Sequence, residues 1–386
     1  MSGLSLYVHV PFCAARCPYC DFATAPAASA LRGRYLAALA LELRREGRAL
    51  GRPRIRTLYV GGGTPSLLEA GEVALVAEAL RSAFELRPRE ATLEANPATL
   101  DGPRLAAWRD LGITRVSIGA QSFSERGLRA LGRAHRPEDV APVVALARAA
   151  GCRVSLDLIF GWPGQSPAEW RADLDAAVAL APDHLSCYPL DLALEPEEAV
   201  ANWPGGGWAV RERWRRRAAA GQPDDAGIAR LYALAQRGLA AAGYRHYEIA
   251  NWARPGRASL HNLTYWRNGQ WLGAGAGAHT HLAGARSRNP GGIRAYCERV
   301  EAGLGRSGDP AADEAIDTAM LALRLDGGLD LGRYRHRFGA AAATSVGATL
   351  RSLDGRALLR WSGPRVRLTP RGRILANEVF VRLLPD

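Results

Sequence analysis

Six short β-rich segments alternate with amphipathic helical stretches through the first half of the chain, and this alternation limits the fold more than any other feature. The segments read as strands over 4–10, 56–61, 91–96, 114–120, 153–160 and 184–189. Between them Leu31, Tyr35, Leu39 and Leu43 recur every fourth residue, and Val73, Val76, Leu80 and Phe84 follow nearly the same step. Val140, Val143, Val144 and Ala147 repeat the pattern, as do Trp170, Leu174 and Val178. Strand, helix and strand in succession form a parallel pair with a right-handed crossover. Six such units predict an α/β fold, a partial (β/α)6 barrel short of the eight units of a complete one. An open, doubly wound sheet is the alternative.

Side chains alternate between the two faces of a strand. Leu6, Val8 and Val10 share one face of the first strand, with Tyr7 and His9 on the other. Leu93 opposes Glu94, Val116 and Ile118 oppose Ser117 and Gln121, and Leu156 and Leu158 oppose Asp157. Each strand thus has an apolar face for helices and a polar face for a ligand, whose site a parallel barrel places at the C-terminal strand ends.

The alternation stops after residue 189. Trp203-Pro204-Gly205-Gly206-Gly207 and the basic run over 211–217 read as a surface insertion, the run as a solvated face. Residues 244–290 are rich in glycine and aromatics, and the chain ends in helical patterns and a hairpin turning at Ser362-Gly363-Pro364. The expected domains are 1–195, a linking region over 196–305, and a small helical, winged-helix-like domain over 306–386. Fifty basic residues, all arginine, against 38 acidic ones leave a net charge of +12, which favours an anionic partner. The basic residues of the tail form no evident recognition helix, so a specific nucleic-acid partner is not expected. No apolar run reaches membrane-spanning length and no signal peptide is evident, so a cytoplasmic location is expected.

Three of the six cysteines, Cys13, Cys17 and Cys20, crowd into the loop after the first strand. Thiolates suit zinc or an iron–sulfur cluster. Zinc would take a fourth ligand, for which His9 is near enough; a four-iron cluster held by three cysteines would keep one iron open. Position at a barrel mouth favours the cluster. Cys152, Cys187 and Cys297 read as small core residues. Gly61-Gly62-Gly63-Thr64-Pro65, directly after the second strand, is either a tight turn or a loop whose N–H groups approach a ligand.

Taken together, Tyr7-Val8-His9-Val10-Pro11-Phe12, the CxxxCxxC loop, GGGTP, Glu94-Ala95-Asn96-Pro97 and Gly119-Ala120-Gln121-Ser122-Phe123 resemble the radical S-adenosylmethionine (SAM) superfamily. Within it the chain is similar to the coproporphyrinogen dehydrogenase branch, and more so to the HemW-type haem chaperones, over nearly its whole length. The resemblance implies a [4Fe–4S] cluster on Cys13, Cys17 and Cys20, with SAM on the open iron. It implies that Tyr7 and Gly62, Gly63 and Thr64 line the methionine end of SAM and that Glu94 binds its polar groups. Gln121, Arg133 and Asp157 match further positions around a SAM site, although a solvated surface arginine is an equal reading of Arg133.

Two features separate the siblings. The dehydrogenase pattern has a fourth cysteine two residues after the third, where this chain has Phe22. His261-Asn262-Leu263-Thr264-Tyr265-Trp266 matches the HNxxYW motif of the chaperones, making His261 a candidate axial ligand to haem iron, with His279 and His281 as alternatives. A hydrogen-bonded core histidine is the competing reading. The implied function is to bind haem and deliver it to haem-requiring respiratory proteins, with haem-acceptor proteins, an external electron donor and a peripheral membrane contact as partners. The rivals are oxygen-independent decarboxylation of coproporphyrinogen III, and a zinc protein with a nucleic-acid-binding tail.

Overall fold

A computed structural model describes residues 3–192, 202–203, 208–310 and 313–384; the turn at Pro204-Gly205-Gly206-Gly207 lies outside them. Six strands, β1 (Leu4–Val10), β2 (Arg54–Gly62), β3 (Glu85–Ala95), β4 (Arg115–Gln121), β5 (Arg153–Phe160) and β6 (His184–Pro189), stand side by side in chain order. Every neighbouring pair is parallel. The crossovers carry α1 (Arg32–Ala49), α2 (Ala70–Ala83), α3 (Gly102–Leu111), α4 (Val140–Ala149) and α5 (Pro167–Ala179).

The periodic apolar positions explain why these helices form where they do. Tyr35, Leu39, Leu43, Val76, Leu80 and Trp170 are fully buried, packed in one core with Leu6, Val8, Leu58, Val60, Leu93 and Val116 from the strands. Each such side chain stabilises the fold by roughly 1.5–3 kcal/mol relative to exposure. Local signals set the ends: Ser166 and Glu169 close a capping box at the start of α5, and Gly112 ends α3 at φ +107°.

The sheet curls. Laid flat, β2 and β6 would stand roughly 19 Å apart across four strand spacings, yet Tyr59 on β2 and Tyr188 on β6 line the same cavity. The glycine- and aromatic-rich stretch 244–290 extends the sheet at both edges. Beside β6 stands the antiparallel strand β8 (Asn251–Ala253), and beyond it β7 (Arg245–Glu248), antiparallel to β8, while β9 (Trp271–Ala274) adds parallel to β1 and leads into β10 (His279–Leu282) and β11 (Ala285–Arg288). The basic run lies on α6 (Trp208–Gly221), and α7 (Asp225–Ala241) follows.

The C-terminal region has its own core around Leu323, Leu350, Val366 and Val379, and a three-stranded sheet in which the hairpin Leu359–Ser362 and Arg365–Leu368 pairs with Leu329–Asp330. It is the expected winged-helix-like unit. Asp326 N–H bonds to Tyr247 O (2.9 Å), and the Arg324 guanidinium lies 4.4 Å from the centre of the Trp266 ring, fixing the unit to the linking region. No helix among the described residues is long and apolar enough to cross a membrane.

Candidate functional site

The inward face of β2 to β6 encloses a cavity of about 430 Å³ that opens at the loop carrying Cys13, Cys17 and Cys20. Its wall carries the polar residues that strand alternation places on that face: Glu94, Ser117, Asp157 and Ser186. Of the residues expected around SAM, Gly62, Gly63, Thr64, Glu94, Gln121, Arg133 and Asp157 line the cavity. Tyr7 does not; its hydroxyl is held behind the wall by His9 Nδ1 at 2.9 Å.

The cysteine loop is closed on itself by backbone bonds. Ala25 N–H donates to Pro11 O and Ala27 N–H to Cys13 O, both at 2.8 Å, and Cys20 N–H closes a turn on Cys17 O. Cys13, Cys17 and Cys20 are half-buried residues, whereas Cys152, Cys187 and Cys297 are buried as core residues. Thr64 Oγ1 lies 3.5 Å from Cys13 Sγ, and Arg133 Nη1 lies 3.2 Å from Cys17 Sγ. Arg133 is therefore a wall residue rather than a solvated one. Burial pushes the thiols of Cys13 and Cys20 up to about 11 and about 12, so binding a metal group there must displace protons.

These donors fit a cluster better than a zinc ion. His9, the candidate fourth zinc ligand, has both ring nitrogens engaged, Nδ1 with the Tyr7 hydroxyl and Nε2 with Ala23 O at 2.8 Å. A zinc ion draws four donors to one point, and among the described residues no three His, Cys, Asp or Glu side chains are so gathered. In a cluster each thiolate binds a different iron, so convergence on a point is not required.

The glycine loop works differently from the expectation of a ligand cradle. Gly63 N–H donates to Val10 O and Thr64 N–H to Phe12 O, each at 2.8 Å, and Gly62 N–H donates to Glu94 Oε2, also at 2.8 Å. These donors bind the cysteine loop and Glu94 rather than facing an open site. The glycines are needed for close approach: Gly62 has φ +114°, and a Cβ there would meet the His9 ring at 2.4 Å. At Gly63 it would meet the Pro11 carbonyl carbon at 2.6 Å.

Tyr59 is a residue the sequence reading missed. Its hydroxyl donates to Glu94 Oε1 at 2.7 Å, so the carboxylate is held at both oxygens. Burial raises the pKa of Glu94, against the pull of the Tyr59 and Gly62 hydrogen bonds. Asp157, which accepts from Ser117 Oγ at 2.9 Å, is likewise raised by burial. Two desolvated carboxylates facing one cavity offer strong acceptors to a ligand bearing ammonium or hydroxyl groups. Gln121 sits at φ +63°, where β4 ends, with its side-chain amide packed against Gly119.

The HNxxYW segment forms the helix Leu260–Trp266. His261 is completely buried, with Nδ1 on Thr57 Oγ1 and Nε2 on the Tyr265 hydroxyl, both at 2.8 Å. Burial lowers its pKa to about 3. The motif thus ties this helix to β2 as a hydrogen-bonded core histidine, and the arrangement presents neither nitrogen to a haem iron. Asn262 reaches the cavity wall instead. His281 is buried with Nδ1 on Gly269 O at 2.9 Å; His279 is exposed and does not line the cavity. The basic run is only partly the solvated face expected: Arg213, Arg216 and Arg217 are exposed, but Arg211 and Arg215 are buried.

Residues 7–177 match the Radical SAM superfamily and residues 310–375 the HemN C-terminal domain. The chain is 40% identical to the heme chaperone HemW of Mycobacterium tuberculosis over 98% of its own length and 94% of that protein. It is 32% identical to HemW of Bacillus subtilis over 99% of both chains. Its fold is similar to that of coproporphyrinogen III oxidase (HemN) from Escherichia coli, with a TM-score of 0.82 at 21% identity, over 99% of this chain and 90% of that one.

Proposed function

Since the chain belongs to the radical SAM superfamily and, within it, to the HemW haem chaperones, we propose that Cys13, Cys17 and Cys20 hold a [4Fe–4S] cluster over a SAM-binding cavity and that the protein carries haem to acceptor proteins. The observation that carries this reading is the meeting of three half-buried cysteines with Glu94 and Asp157 on one cavity. When bound and reduced, the cluster and SAM supply one-electron chemistry that side chains lack. The protein binds, orients and shields. Arg133 steadies the Cys17 sulfur and offsets its negative charge. Glu94, fixed by Tyr59 and Gly62, and Asp157, fixed by Ser117, hold the polar groups of SAM in a desolvated wall.

The partly exposed cysteine loop is where an external electron donor approaches. Delivery to a membrane-bound respiratory acceptor uses a peripheral contact at the membrane surface. The test is transfer. Protein reconstituted anaerobically and loaded with haem should retain it through gel filtration and pass it to an apo-haemoprotein, followed by the acceptor's Soret band. Loss of all haem on the column would overturn the chaperone reading.

A further inference from the structure

The helix Leu260–Trp266 is bonded to one row of residues that crosses three strands. Ser5 on β1, Thr57 on β2 and Glu90 on β3 stand opposite one another in register. Thr264 Oγ1 meets Ser5 Oγ at 3.0 Å, His261 Nδ1 meets Thr57 Oγ1 at 2.8 Å, and the His261 N–H donates to Glu90 Oε1 at 3.2 Å. Ser259, just before the helix, donates to the same Glu90 oxygen, and Arg115 on β4 pairs with Glu90 Oε2 at 2.9 Å. This row lies four residues before Glu94 on β3, so the helix closes the cavity roughly 13 Å from Glu94, on the side away from the cysteine loop. Asn262 lines the cavity from this floor, with its backbone N–H fixed on Ser259 Oγ at 3.3 Å. Among the described residues its carboxamide has no hydrogen-bond partner. The other polar groups of the floor are engaged or closed off. Ser155 Oγ bonds to His184 Nδ1 and His184 Nε2 to the Tyr247 hydroxyl, both at 2.8 Å, while Thr92 Oγ1 and the remaining Arg115 nitrogens are sealed within the wall. The open amide is that of Asn262.

We propose that Asn262 reads the adenine of SAM from the floor of the cavity, and that the rest of the HNxxYW motif holds it there. The proposal rests on the SAM reading above and deepens it by naming the group that selects the base. With the methionine end beside the cysteine loop, the nucleoside is the part of SAM directed toward the floor. A carboxamide carries a donor and an acceptor side by side, the pattern that pairs with an adenine amine and the ring nitrogen beside it. Tyr59 and Tyr188 line the same cavity, and Tyr188 is 42% exposed, so flat ring faces accompany the amide. A porphyrin fits this floor poorly, because its apolar faces would meet Ser117, Ser155, Asp157 and Ser186.

The test measures affinity by isothermal titration on anaerobically reconstituted protein, for SAM and for the analogue in which hydrogen replaces the adenine 6-amino group. The parent should bind SAM about tenfold more tightly than the analogue, as expected for one lost hydrogen bond. Asn262→Ala should bind SAM about tenfold more weakly than the parent and should no longer distinguish it from the analogue. Its cluster iron and thermal midpoint should match the parent, because the amide makes no hydrogen bond within the described protein. If Asn262→Ala fails to fold, Asn262→Ser, which keeps a polar group but shortens its reach, gives the same comparison. A parent that binds both alike, or a variant that discriminates as the parent does, would overturn the assignment of Asn262 while leaving SAM binding standing. A parent that binds neither would overturn the SAM reading, and this assignment with it. Weaker haem retention by Asn262→Ala at unchanged SAM affinity would overturn it too, assigning the amide to the tetrapyrrole.

Discussion

Arg133 spans two elements of the site, with Nη1 3.2 Å from Cys17 Sγ and Nη2 3.1 Å from Gly119 O. The side chain joins the cysteine loop to the end of β4, and at Gly119 a Cβ would stand 2.8 Å from Gln121 Nε2, so the Gln121 amide takes the space there, with Arg133 Nη2 at an ordinary 3.5 Å. A cation donating to a cluster sulfur favours the reduced, more negative state. Arg133→Gln should therefore lower the cluster potential by about 60 mV or more, the equivalent of ~1.4 kcal/mol for one electron. An EPR-monitored redox titration checks this; an unchanged potential would mean that the contact is lost once the cluster is bound.

The ligand assignment is tested by contrast. Cys17→Ala removes one thiolate and should leave the cluster labile, with iron and acid-labile sulfide falling together on anaerobic purification. Cys152→Ala, deep in the core with its thiol 3.9 Å from Ile113 O, should keep both at the parent level. Equal iron in the two variants would contradict the assignment.

Glu94 gives a prediction about pH. Only the ionised carboxylate offers a charge-assisted bond, and burial raises its pKa above the ordinary glutamate value. As pH falls, SAM affinity should therefore begin to drop at a pH above that value. Glu94→Gln should bind about tenfold more weakly at neutral pH and lose this acid limb, with cluster content preserved. Isothermal titration with SAM across the acid range decides it: an identical acid limb in the variant would place the titration elsewhere.

For His261 the expected loss is one of stability. His261→Ala leaves Thr57 Oγ1 and the Tyr265 hydroxyl without their partner and opens a gap beneath Tyr59, whose ring centre is 5.1 Å away. A cost of about 2 kcal/mol or more is expected, read as a lower thermal midpoint, with the Soret band of bound haem unmoved. A shifted Soret band at unchanged stability would return His261 to the role of iron ligand.

The strands and the polar wall were legible because a period of two separates Glu94, Ser117 and Asp157 from Leu93, Val116 and Leu156 without any knowledge of neighbours. Tyr59 was missed because Leu58-Tyr59-Val60 reads only as strand; its role depends on Glu94 of the adjacent strand, a pairing that no local pattern records. Trp271–Ala274 escaped for a different reason: four residues including a glycine are too short to show periodicity, and its parallel partner β1 lies near the other end of the sequence, Ser5 facing Trp271. The basic run misled because exposed and buried arginines look alike in sequence. Only the turn of α6 separates Arg211 and Arg215 from Arg213, Arg216 and Arg217.

The central claim is that this cavity serves a haem carrier rather than a decarboxylase, and one paired incubation tests it. Anaerobically reconstituted protein, with SAM and a low-potential reductant, is offered haem or coproporphyrinogen III, and retained haem and released carbon dioxide are both measured. The account predicts haem retained in proportion to protein and no carbon dioxide above the cluster-free control. Carbon dioxide release from coproporphyrinogen III with no haem retained would contradict it.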